Sequence, residues 1–120
     1  MDTSAKKTMQ ITMTDRPPVR IVIADWPTIA RADWFTGEHE CQANEVASLK
    51  VRRHEDGRTI IYGHRDRGPG GMPISYRGSW AGVLTSKQAN IVLVIRQVAC
   101  DIGAPQLADQ CISELPAEDV

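Results

Sequence analysis

Between residues 46 and 67, two β-rich runs flank the dipeptide Asp56-Gly57, and no other segment constrains the fold as strongly. Asp-Gly favours a two-residue type I′ turn, because that turn needs positive φ at both central positions. With Asp56 and Gly57 as the loop, Val51 opposes Tyr62, Arg53 opposes Ile60 and Leu49 opposes His64. Directly opposed residues share a face of the sheet. One face then carries Ala47, Leu49, Val51, Ile60 and Tyr62, with Arg53 and His64 near its ends. The other carries Ser48, Lys50, Arg52, His54, Thr59, Ile61 and Arg65. The first reads as a core face. The second is basic, contains no acid, and is extended by Arg67.

The rest of the chain supplies fewer signals. Residues 1–18 are polar, lack periodicity and end in Pro17-Pro18, which reads as a flexible N-terminal arm. Val19, Ile21 and Ile23 share one face of a strand by the period of two. Residues 27–36 fit either a strand through Ile29 and Trp34 or a short helical turn. Residues 68–73 are a glycine- and proline-rich loop, and 74–80 read as a short returning strand. Thr85-x-x-Gln88 has the form of a capping box, so a helix is predicted over 86–102. Ile91, Ile95, Val98 and Ile102 make its apolar stripe, and Gly103 its C-terminal stop. A second helix is predicted over 105–115, with Leu107, Cys111 and Leu115 on one side.

The chain has 120 residues, 42% of them hydrophobic and 24% charged, which fits one compact domain with one core. No apolar run approaches the roughly 18 residues of a membrane helix. The net charge is −1, from 14 basic and 15 acidic residues, so the chain is not basic overall. The charge is unevenly placed, however. Residues 50–77 hold seven basic and three acidic side chains, and residues 78–120 hold two basic and five acidic ones. Three cysteines and no visible export signal predict reduced thiols in the cytoplasm.

His39, Cys41, His54 and His64 lack the paired spacing that zinc needs, and the hairpin register above puts His54 and His64 on opposite faces. No metal site is predicted. Cys41 beside His39 and Glu40 is a weak nucleophile candidate, since adjacent strand residues point opposite ways. Asp25 and Asp33 flank Trp26 and Trp34, and a tryptophan wall raises a carboxyl pKa; turn aspartates and anchoring tryptophans are the simpler reading. The glycines at 68–71 match neither GxxxxGK[ST] nor GxGxxG, so no nucleotide cofactor is predicted. What remains is the basic hairpin face: Lys50, Arg52, His54, Arg65 and Arg67. A single-signed stripe on a two-stranded ribbon suits a phosphate backbone or a DNA groove.

The stretches Ala43-Asn44, 47–52, Asp56-Gly57-Arg58, Tyr62-Gly63 and 115–118 resemble small bacterial proteins carried on plasmids and integrative elements. That resemblance spans 19–118, brings no catalytic residue, and implies an accessory role on a mobile element. The expected architecture is a single α+β domain over 19–118. It has an antiparallel three- to four-stranded sheet with a central β-hairpin, covered on one face by two C-terminal helices. The expected function is non-enzymatic binding, with nucleic acid as partner. The alternative is a protein-interaction module, an inhibitor or adaptor using the acidic C-terminal helices, and a small enzyme is third. No membrane association is expected.

Overall fold

Period-two alternation of small and branched apolar residues builds the centre of the fold. The computed structural model describes residues 6–35, 45–67 and 79–117. Strands β1 (Thr8–Ile11) and β2 (Val19–Val22) pair as a two-stranded antiparallel ribbon. Strands β3 (Thr28–Phe35), β4 (Glu45–Arg53), β5 (Thr59–Arg67) and β6 (Ser79–Thr85) form a four-stranded antiparallel sheet in chain order. Helices α1 (Ile91–Asp101) and α2 (Leu107–Ser113) follow, giving an α+β fold. The ambiguous segment 27–36 is therefore a strand over its described length.

Two apolar clusters hold these elements together. Ala30, Ala32, Ala47, Leu49, Val51, Ile61 and Ala81 from the sheet bury with Ile95, Val98, Ile102, Leu107 and Cys111 from the helical region. Ile60 instead buries with Ile11, Met13, Ile21 and Trp26. Adjacent residues of a strand point to opposite faces, so Ile60 and Ile61 assign the clusters to opposite sides of the sheet. Each fully buried isoleucine or leucine contributes on the order of 2 kcal/mol of transfer free energy.

The hairpin loop is longer than the Asp-Gly signal predicts. His54 N–H donates to Arg58 O at 2.9 Å, and Gly57 N–H donates to His54 O at 2.9 Å. Glu55, Asp56 and Gly57 thus form a three-residue loop, a turn closed by one glycine in the left-handed region. Gly57 has φ +95°, whereas no non-glycine residue among those described has positive φ. Asp56 is held by Arg58 instead: its Oδ1 accepts from Arg58 N–H at 2.9 Å, and Arg58 Nε lies 2.8 Å from Oδ2. The Arg58 N–H is the main reason the Asp56 carboxyl sits below its ordinary range.

The longer loop slips the predicted register by one residue. Val51 opposes Ile61, Leu49 opposes Gly63, Ser48 opposes His64 and Ala47 opposes Arg65. Such a slip exchanges the two faces of the slipped strand. Ile61 and Arg65 therefore move to the helix-facing side, and Ile60, Tyr62, His64 and Asp66 to the side of Lys50 and Arg52.

Three further expectations are corrected. Residues 8–11 of the expected flexible arm form β1, and Ile11 and Met13 are buried. β2 stops at Val22, and Ile23–Asp25 make a 3-10 turn instead of extending the strand. Thr85 does not cap α1. It ends β6, and its buried hydroxyl donates to Thr59 O at 3.2 Å. Asn90 is the N-cap, its Oδ1 accepting from Leu93 N–H at 3.4 Å, so α1 begins at Ile91. Gly103, with φ +77°, ends the helix as expected. The returning strand lies at 79–85, and residues 74–78 of the predicted one fall outside the described residues. No helix among the described residues is long and apolar enough to cross a membrane.

Candidate nucleic-acid interface

On the sheet face away from α1 and α2, the pairings set out side chains in rows across the strands. One row runs Arg31, Lys50, Tyr62 and Gly82; the next runs Asp33, Ser48, His64 and Trp80. The β1–β2 ribbon packs on the end holding Ile60, Tyr62 and Leu84. Tyr62 marks its boundary, with its hydroxyl 4.0 Å from Met9 Sδ. The cations lie alongside. Arg31, Lys50 and Arg52 line a single cleft of about 400 Å³ with Thr28, Ile29, Ala30 and Glu114.

The three cations are held differently. Arg52 is fixed: its Nε donates to the Tyr62 hydroxyl at 3.0 Å and its Nη1 to Trp26 O at 3.0 Å. Those bonds orient the guanidinium but also tie it to the fold. Arg31 is exposed and pairs with Asp33 at 3.4 Å, a surface ion pair of small energetic worth. Lys50 is half-buried. An ammonium on so long a stem reaches solvent readily.

In the adjoining row, Trp80 and His64 stack at 4.6 Å between ring centroids, with planes 20° apart. Ser48 Oγ lies 3.1 Å from His64 Nδ1, and Asp66 Oδ2 lies 3.5 Å from His64 Nε2. Asp66 is buried, and its Oδ1 has no hydrogen-bond partner among the described residues. The imidazole thus has the serine hydroxyl at one nitrogen and the carboxylate near the other, while its ring face stacks on Trp80. Trp80 itself is 52% exposed, which is unusual for so large an apolar side chain.

The order Ser–His–Asp is that of a nucleophile relay, but its setting is not. A developing oxyanion needs free N–H donors. Ser48 and His64 sit in the two central strands, whose main chains are paired on both sides. We read the trio as a support for the His64 ring.

The predicted stripe is divided by this geometry. Lys50 and Arg52 share the face, but Arg65 lies on the other side, where its Nη1 donates to Gly103 O at 3.0 Å. Arg67 is opposite Glu45 in the backbone register of β4 and β5. His54 stands at the hairpin end of the ribbon-covered face, its ring tilted on Trp26 at 5.0 Å. It shares a face with His64, contrary to the two-residue register, though at the other end. The face also carries Asp33 and Asp66, so it is not free of acids. Trp80, His64 and Arg31 were not anticipated. The pairing of β5 with β6 sets Trp80 against His64, whereas the three-residue loop fixes only the place of His64 beside Ser48.

The other constellations disperse. No group of histidines, cysteines and carboxylates able to hold a metal occurs among the described residues. Trp26 and Trp34 belong to different clusters, so they do not wall one carboxylate. Cys41 and His39 lie outside the described residues. Cys111 is buried, and burial, with a smaller contribution from Glu114, pushes its thiol up to about 11. That value removes it from nucleophile chemistry near neutrality. No family model, curated protein or solved structure matches the chain.

Proposed function

We propose that this protein is a small non-enzymatic accessory protein that binds nucleic acid through the sheet face around Lys50. One observation carries the reading: Arg31, Lys50 and Arg52 line one cleft, with Glu114 from the end of α2 beside them and Asp33 paired to Arg31. Convergent cations on a rigid sheet suit a phosphate backbone, and arginine's planar fork matches a phosphate's oxygens. The resemblance to plasmid and integrative-element proteins supports an accessory role on a mobile element, in the bacterial cytoplasm.

Salt dependence tests the proposal. Binding of a fluorescent oligonucleotide is measured by anisotropy at two or more salt concentrations, for the wild type and for Arg31→Ser with Lys50→Ser. Arg52 is left in place because it also ties Tyr62 to Trp26. The double variant should bind more weakly, and its slope of log affinity against log salt should flatten by roughly one unit per lost contact. A wild type that binds no oligonucleotide at low salt would refute the proposal. A protein partner for the acidic C-terminal segment then becomes the better reading.

A further inference from the structure

We propose that Trp80 is a stacking platform for an unpaired nucleobase, so that the protein takes nucleic acid as a single strand. This inference rests on the nucleic-acid reading and specifies its ligand. An exposed tryptophan ring offers a π-face of the size of a base, and stacking of this kind tolerates any base. Trp80 differs from a stray surface aromatic in being pre-set. One ring face lies on His64, 4.6 Å away and nearly parallel, and His64 is held by Ser48 and Asp66. The tryptophan therefore loses little side-chain freedom when a base arrives.

The position matches the cations. Trp80 and Lys50 stand two strands and one row apart. That separation is about 12 Å at normal strand and residue spacings, a span of roughly two nucleotides in an extended strand. A base on Trp80 would thus place a neighbouring phosphate at Lys50, with Arg31 next along the same row. A duplex cannot make this contact, because its bases are stacked on one another and present only edges and phosphates.

The test compares single-stranded oligo(dT), oligo(rU) and a duplex of equal length with the wild type, Trp80→Leu and Trp80→Phe. Unchanged circular dichroism and melting temperature confirm that these surface variants fold. Single strands should bind the wild type more tightly than the duplex does, and should quench tryptophan fluorescence. Trp80→Leu should lose single-strand affinity by about 5- to 100-fold, the worth of one base stack. Trp80→Phe should retain much of it and lose most of the quench, since Trp26 is buried and Trp34 is half-buried against the core. The salt slope should not change in either variant. Equal binding of single strand and duplex, with Trp80→Leu matching the wild type, would overturn the platform and leave the electrostatic reading standing. Absence of binding to every probe at low salt would remove both.

Discussion

Replacing Gly57 tests the loop on which the whole face depends. At φ +95°, an alanine carries the left-handed penalty of about 1–2 kcal/mol. Its Cβ would also fall 2.7 Å from Lys87 Cβ, an atom fixed by its own backbone. Gly57→Ala should therefore cost about 2 kcal/mol or more, a fall in Tm on the order of 10 °C for a chain of this size. Adding Lys87→Gly removes the contact but not the backbone penalty, so the pair should recover only part of the loss, a coupling a double-mutant cycle isolates. Asp56→Gly separates the two loops. A type I′ turn would welcome glycine there, whereas the three-residue loop loses both bonds to Arg58. Thermal or urea unfolding measures these three variants and Lys87→Gly alone, which completes the cycle. A neutral Gly57→Ala together with a stabilising Asp56→Gly would refute the loop, and with it the placement of His64 beside Ser48.

Two other expectations concern the helical side. Asn90→Ala should cost about 1 kcal/mol in unfolding free energy through loss of the α1 cap, whereas a cap at Thr85 predicts no effect. Cys111, with its thiol pushed from 9.0 to about 11, is protonated more firmly folded than unfolded. Its contribution is fully present below pH 9 and lost as pH rises through about 11, so Cys111→Ala should remove that component of the alkaline loss of stability, measured against wild type across the range. An identical alkaline profile in the two proteins would contradict the burial argument.

The hairpin, its approximate strands and the stripe of α1 were legible because alternation and a turn dipeptide are strong local signals. The length of the loop was not. Asp-Gly serves both a two-residue turn and a three-residue one, and the choice rests on φ at Asp56, which Arg58 helps to decide. That single residue of register moved Arg65 toward Gly103 and set His64 against Ser48. The start of α1 was ambiguous for a similar reason: Thr85 and Asn90 are both good caps, and Thr85 is engaged by the sheet. β1 was missed because four residues carry little pattern. The alternation of Met9, Ile11 and Met13 was its only trace, and its burial depends on Ile21, Trp26 and Ile60 arriving from elsewhere. Trp80 could not be placed without knowing which residue of β5 it faces.

The most direct test of the account is a nuclear magnetic resonance titration of the labelled protein with oligo(dT). The account predicts that the largest shifts gather at the amides of Arg31, Ser48, Lys50, His64 and Trp80 and at the Trp80 indole N–H. Those residues are far apart in sequence and adjacent only in the register described. Shifts confined to α1 and α2, or none at saturating oligonucleotide, would contradict it.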